Sequence, residues 1–347
     1  MGMFKKKQIF IILIALLLLV VAAIPFPIMA ATQNQAGFYV HAILPDNQLD
    51  DKLSYFDLRI APNQTQDLEI EITNQLDTDI TIAIDTISAS TNRNGIIDYK
   101  TPDIRDETLL IPFSTIATVS KKTLLIPAMS SKIATIRITI PDDSFDGVIL
   151  GGLVFTRQDD ENTKSSASAA NATIVNNIFS YVIGVKLSEN DIEVLPEFEL
   201  AQITATTVNY HPAFIHAIRN TKAVIAKGMT LDISVKDTKG IVVAQASHTN
   251  IDMAPNSIMD LSVVPDSGQI KPGDYFSDVL IKYGEQSFSY KMPFTVTNSD
   301  SDQINEDSVV NAPKTFDFQV LVFYIILSLL LAIIIILIIL LQRKRGK

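Results

Sequence analysis

The chain has 347 residues, 47% of them apolar and 19% charged, with no cysteine, no tryptophan and a formal charge of −10. It is long enough for two domains and too apolar to be a disordered polyelectrolyte. Seven of the 28 basic residues (Lys5, Lys6, Lys7, Arg343, Lys344, Arg345 and Lys347) lie at the ends, so the body between Thr32 and Phe318 carries 21 − 38 = −17. That charge disfavours nucleic acid as a partner, because phosphate binding needs clustered Lys and Arg.

The apolar residues are segregated too. Ile9–Ile24 is an apolar run behind a basic start, broken by Pro25-Phe26-Pro27 and followed by Ile28-Met29-Ala30-Ala31. This is the pattern of a secretory signal peptide over residues 1–31, with cleavage expected after Ala30 or Ala31. Absence of cysteine in an exported chain fits a Gram-positive envelope, where disulfide staples are often lacking.

Beyond Gly37 the dominant signal is period-two alternation. In Tyr55-Phe56-Asp57-Leu58 it sends Phe56 and Leu58 to one face and Tyr55 and Asp57 to the other. Tyr55 and Asp57 are then either a solvated face or part of a glycan or peptide surface. Leu68, Ile70 and Ile72 alternate with acidic residues and Thr73, Ile80, Ile82 and Ile84 with Thr81, Ala83 and Asp85, and Ile136, Ile138 and Ile140 with Arg137 and Thr139. These are half-buried strands, since a helix could not put the same spacing on one face.

Asn94-Gly95, between Thr91-Asn92 and Ile96-Ile97-Asp98-Tyr99, is a hairpin signal, because that pair tolerates positive φ angles. Asn92, Asn94 and Tyr99 are candidate contacts, with turn geometry as the plainer reading of the asparagines. Asp142-Asp143-Ser144-Phe145-Asp146-Gly147 has the first half of a calcium loop, but Leu153 stands where the bidentate glutamate belongs, so it reads as a turn. Gly151-Gly152 interrupts the apolar run Val148–Phe155, which marks either close internal packing or the approach of a partner's strand.

Residues 158–172 contain no large apolar side chain and read as a linker or long hairpin tip. They separate a first domain, Gly37 to Arg157, from a second, Thr173 to Val296. Turn signals at Lys239-Gly240, Pro272-Gly273 and Tyr283-Gly284 punctuate the second domain, in which Asn256 and Tyr275 are further candidate contacts with mainly turn character. Short strands with frequent turns and no strong amphipathic helix imply an all-β chain of two immunoglobulin-like β-sandwiches. Residues 297–317 are acidic and read as a stalk. Val320–Leu341 is 22 residues with Ser328 as its one polar member, enough for a transmembrane helix of about 33 Å. The basic residues 342–347 place the C-terminus in the cytoplasm and the body outside.

Catalytic and metal motifs are missing from the sequence. The four histidines, His41, His211, His216 and His248, lack metal-ligand spacing, and His211 and His216 should face opposite sides of a strand. No cofactor and no enzymatic activity are expected.

Several segments together resemble one family. Pro45-Asp46-Asn47-Gln48, Tyr55-Phe56-Asp57-Leu58, Thr91 to Tyr99 and Phe145 to Gly152 are similar to the first domain of the WxL-interacting proteins of Gram-positive bacteria. Tyr181 to Val185, Met253 to Ser257 and Pro272-Gly273-Asp274-Tyr275 are similar to that family's second domain, and the order of leader, two domains, helix and basic tail matches as well. The resemblance implies a first domain that binds peptidoglycan and a second that binds host surface or matrix proteins, beside WxL-domain proteins in a surface complex. The alternative is a purely protein-binding envelope scaffold that accepts a partner strand by β-augmentation.

Overall fold

A computed structural model describes residues 36–100, 106–158 and 178–308. The expected signal peptide and the apolar tract Val320–Leu341 lie outside these residues. Among the described residues no helix is long and apolar enough to cross a membrane.

Two mainly antiparallel β-sandwiches stand in tandem. In the first, a four-stranded sheet is ordered β1 (Phe38–Ile43), β3 (Thr65–Asn74), β9 (Ser131–Thr139), β7 (Ala117–Val119). It faces a five-stranded sheet ordered β2 (Phe56–Arg59), β11 (Ser180–Ser188), β10 (Ile149–Gln158), β4 (Ile80–Ser88), β8 (Thr123–Ile126). The alternating isoleucines meet between the sheets: Ile70, Ile72, Ile82, Ile136 and Ile138 are fully buried, together with Phe56, Leu58, Phe113 and Phe155. Phe113 belongs to α1 (Phe113–Ile116), a single turn that plugs one end of this core.

The second sandwich packs β12 (Phe198–Val208), β13 (His211–Asn220) and β16 (Ser257–Val263) against β15 (Val242–Met253), β14 (Ala226–Asp237), β17 (Gly273–Tyr283) and β18 (Gln286–Val296). Between β4 and β7 in sequence, β5 (Ser90–Thr91) and β6 (Ile97–Asp98) form the small hairpin signalled by Asn94-Gly95, with Gly95 at φ 68°.

Two boundaries differ from the sequence reading. β11 follows the polar segment 158–172 yet pairs with β10, Gly152 opposite Gly184, and runs parallel to β2. The polar segment therefore joins two strands of one sheet, and the passage to the second sandwich comes after Ser188. The cause is burial: Ile183, Val185 and Leu187 complete the first core. The expected acidic stalk, 297–317, does not begin at Thr297, because the first residues of that stretch fold as α2 (Asn298–Glu306). Thr297 and Asp300 form a capping box there, and Ile304 enters the second core, so the helix docks instead of extending.

Candidate functional site

The outer face of the five-stranded sheet is built unlike that of its partner sheet. On the four-stranded sheet, β3 and β9 turn Asp67, Glu69, Glu71 and Arg137 outward, with Arg137 donating two 2.8 Å bonds to Asp67. On the five-stranded sheet, β10 is apolar on both faces: Ile149, Leu153 and Phe155 are buried inward, while Leu150 and Val154 face out, half-buried. A surface strand with apolar residues on its solvent side breaks the usual alternation and marks a contact surface.

The glycine pair shapes this surface, and its two members do separate jobs. Gly151 faces inward, where a Cβ would lie 2.1 Å from the Phe113 ring. Gly152 faces outward, where a Cβ would lie 2.6 Å from Tyr99 Cδ1 and 3.0 Å from Val182 Cγ1. Across the ladder, a Cβ on Gly184 would lie 3.6 Å from Tyr99 Oη and 3.8 Å from Tyr55 Cβ. Two facing glycines thus leave a floor on which the Tyr99 ring lies against the sheet and reaches Tyr55. Burial, and the neighbouring Tyr55 phenol, hold the Tyr99 hydroxyl above the ordinary phenol range. Tyr55 is 38% and Val182 43% exposed, so the shelf remains open to solvent beside the half-buried Tyr99.

Asp57 borders the shelf. Its carboxylate takes a 3.1 Å ion pair from Lys186, and its Oδ1 is buried without a hydrogen-bond partner. The loop before it is fastened by Gln48, whose Oε1 accepts from Asp57 N at 3.1 Å and whose Nε2 donates to Tyr55 O at 3.1 Å. Tyr55, Asp57, Tyr99, Gly152 and Gly184 are therefore one surface.

The remaining candidates do not join it. Asn92 Oδ1 accepts from the amides of Asn94 and Ile96 at 2.9 and 3.2 Å, a closed turn whose tip docks on the second sandwich. A Cβ on Gly95 would meet Ile251 at 2.2 Å, and Gly95 O accepts from Asp252 N at 2.8 Å. Asn256 closes a left-handed turn (φ 49°) and donates to Thr221 O at 3.0 Å. Tyr275 packs in the second core, stacked on Phe294, with its hydroxyl donating to Lys271 O at 2.7 Å. Asn256, read mainly as a turn residue, sits in a turn, whereas Tyr275 is a core residue, because a ring beside a Pro-Gly turn folds back over it.

Sequence reasoning missed the joint between the sandwiches. Arg219 donates to Asp106 at 2.6 Å, where the Asp106 side chain is 1% exposed, and also reaches Glu107 and Glu199 at 3.1 and 3.0 Å. Thr91 and Ser257 hydroxyls meet at 2.7 Å, and Ala254 N donates to Thr91 at 3.0 Å. The loop that resembles half a calcium site serves the same joint: Gly147 abuts Ala223, Val148 N donates to Ala223 O at 2.7 Å, and Asp146 accepts from Asn190 at 2.8 Å. Two of the loop's candidate ion ligands, Ser144 and Asp146, are committed to Glu189 and Asn190.

The two glycines give a paired prediction. Gly152→Ala is expected to tilt Tyr99 off the shelf at a cost below about 1 kcal/mol, because a half-exposed ring can swing outward. Gly151→Ala presses on Phe113, which is fully buried, and is expected to cost about 2 kcal/mol. Urea titration of both variants checks this; equal costs would mean that Tyr99 is as fixed as Phe113.

Two sandwiches locked by a polar joint, one with an aromatic shelf on an outer face, define a tandem binding-module protein. Residues 38–157 match the family model described as WxL Interacting Protein, peptidoglycan binding domain, and residues 170–306 match WxL Interacting Protein, host binding domain. The chain belongs to the WxL-interacting protein family. The second match takes in β11, which the fold assigns to the first sandwich. No curated protein matches the chain. Solved structures similar to it include the Pseudomonas aeruginosa CupB2 chaperone (10% identity, 65% of this chain and 91% of that chain, TM-score 0.27). The E. coli chaperone DraB is another, at 11% identity over 74% of this chain and 96% of that chain, TM-score 0.29. Both are too distant to carry a functional reading.

Proposed function

We propose that the protein is a non-enzymatic, membrane-held scaffold of a Gram-positive cell wall, which grips peptidoglycan through the Tyr55–Tyr99 shelf. Its second sandwich meets protein partners: WxL-domain surface proteins and, where the cell contacts a host, matrix proteins. The observation that carries this reading is the two-faced first sandwich, charged on one outer sheet face and aromatic and apolar on the other. Tyrosine rings on a flat floor suit the apolar faces of sugar rings, and Lys186, held by the buried Asp57, supplies a polar group at the rim. The family descriptions support peptidoglycan for the first module and a host component for the second. A basic leader, the tract Val320–Leu341 and the basic residues after it support a body held outside a single span.

Strand addition at the glycine pair is disfavoured, since β10 already has β4 on one side and β11 on the other. The test is retention of the full chain on insoluble peptidoglycan. Tyr99→Ala and Tyr55→Ala are each expected to weaken retention about tenfold, the loss of roughly 1.4 kcal/mol of ring contact. Tyr39→Ala, an exposed tyrosine on the opposite sheet, should leave it unchanged. Equal retention of all four proteins would remove the shelf from the binding site.

A further inference from the structure

The two ends of the second sandwich are unlike. β15 runs from Val242 at one end to Met253 at the other, about 35 Å apart. At the Met253 end lie the contacts with the first sandwich made by Ile251, Asp252 and Ala254. At the Val242 end the turns gather around α2. Thr207 donates to Ile304 O at 3.4 Å, and Ser301 and Asn305 donate to Ile270 O at 2.8 and 2.7 Å. Asp266 N donates to Val243 O at 3.0 Å, and Pro265 bridges Ala244.

The exposed large apolar side chains of this sandwich, from Phe198 to Ser308, are Tyr210, Ile241, Val242 and Val264, and all four lie at the Val242 end. Ile241 and Val242 close the β14–β15 turn, Val264 follows the β16 residue paired with Phe214, and Tyr210 tips the β12–β13 hairpin. Tyr210 is 69% exposed and held at φ 62° behind Asn209 at φ 49°. A second left-handed position in a two-residue turn is ordinarily given to glycine. A bulky ring kept there, pointing to solvent, is an unfavourable choice for folding alone.

The path of the chain indicates what covers this end. α2 ends beside these turns, and eleven residues, 309–319, separate Ser308 from the apolar tract beginning at Val320. They can span at most about 40 Å. We infer that this end of the second sandwich rests in the headgroup region of the lipid bilayer, with Tyr210, Ile241, Val242 and Val264 as its lipid contacts. The inference rests on the reading of Val320–Leu341 as a membrane span. Tyrosine is a side chain favoured at this depth, ring in the apolar boundary and hydroxyl toward water, and small apolar loops enter the same layer. The acidic residues of α2 and its C-cap, Asp300, Asp302, Glu306 and Asp307, oppose attraction to an anionic leaflet, so the contact is apolar and insensitive to salt.

Because the chain has no tryptophan, one introduced indole reports its own surroundings. Full-length Tyr210→Trp, Val242→Trp, Tyr39→Trp and Phe323→Trp proteins are reconstituted in phosphatidylcholine–phosphatidylglycerol vesicles with nitroxide-labelled lipids. Indoles at 210 and 242 are expected to emit to the blue of the one at 39 and to be quenched at least twofold by a shallow label, equally at low and high salt. Val242→Trp keeps the test open if the strained turn rejects the Tyr210 change. If both behave like the indole at 39 while the one at 323 is quenched by a deep label, the span stands and the inference fails. An unquenched indole at 323 would overturn the span and the inference together.

Discussion

Replacing Arg219 with alanine is expected to split the thermal unfolding of the two sandwiches into separate transitions. Arg219 is 14% exposed and its pKa is raised above the ordinary guanidinium value, first by its bond to Asp106. Among the described residues, removing it leaves the Asp106 carboxylate buried with only the Thr108 amide and hydroxyl, at 2.9 and 2.6 Å, to solvate it. Stranding a buried charge costs several kcal/mol, more than the pair itself contributes, because the desolvation remains when the attraction is gone. The two bonds from Thr108 offset part of this, so a loss of about 3 kcal/mol is expected. The backbone bonds Asp252 N to Gly95 O and Val148 N to Ala223 O survive the change. The sandwiches should therefore stay folded while unfolding independently. Scanning calorimetry of the wild-type chain should show one cooperative transition, and the variant two, with the lower shifted down by about 5–10 °C. A single unshifted transition would mean that the joint does not couple the modules.

That joint matters to function because it fixes the angle between the shelf and the second sandwich. Under the proposed function, a wall-binding face and a partner-binding module held in one geometry present their ligands to each other in one register. Two modules on a free linker would not. The polar segment 158–172 reads as either a linker or a long hairpin tip, and the antiparallel pairing of β10 with β11 on either side of it favours the second.

Where period-two alternation was strong, the sequence could be read directly. Leu68 to Ile72, Ile80 to Ile84 and Ile136 to Thr139 are in strands, and their isoleucines, with Ile140 just beyond, fill the first core. Composition served less well at boundaries. A run of small polar residues shows that nothing there is buried, but not whether the next strand starts a new sheet or returns to the old one. The pairing of β11 with both β10 and β2 is a long-range choice, settled by which core has room for Ile183, Val185 and Leu187. The start of the acidic stretch was misplaced for a different reason. Acidic composition obscured a capping box at Thr297 and Asp300 and one apolar contact, Ile304, which together suffice to dock a short helix.

The site was legible in pieces. Alternation placed Tyr55 and Asp57 on the outward face, and Gly151-Gly152 was marked as a close approach. The sequence could not show that Tyr99, forty-four residues beyond Tyr55, would fold over Gly152 and meet it. Gly184, directly opposite Gly152, was an available signal: two glycines at one ladder rung leave a gap that a side chain from elsewhere must fill. Arg219 and Asp106 left no local signal, since a buried ion pair between residues far apart reads as ordinary surface charge.

A last consequence concerns acid. His216 lies fully buried in β13 with Nε2 at 2.8 Å from the Ser277 hydroxyl on the facing sheet and no partner for Nδ1. Burial holds its pKa down at about 4, against 6.5 for a free imidazole. The folded chain therefore keeps His216 neutral where the unfolded chain protonates it. The stability this gives is complete above the unfolded value and is lost as the pH falls from 6.5 through 4. The difference amounts to about 3 kcal/mol in full, of which about 2 kcal/mol is gone by pH 5. The carboxylates held below their ordinary range, Asp67 chiefly by its bond from Arg137 and Asp232 chiefly by its bond from Ser247, act in the same direction but below 3.8. The slope between pH 6.5 and 5 thus belongs to His216 and to the second sandwich. Urea titrations of the wild-type chain at pH 7 and pH 5 should differ by about 2 kcal/mol, and His216→Gln, which keeps a polar partner for Ser277, should flatten that difference at whatever absolute stability it has. A variant with the wild-type slope would place the acid sensitivity elsewhere. Retention on peptidoglycan by the first sandwich should persist at pH 5 in either case, because His216 lies in the second sandwich.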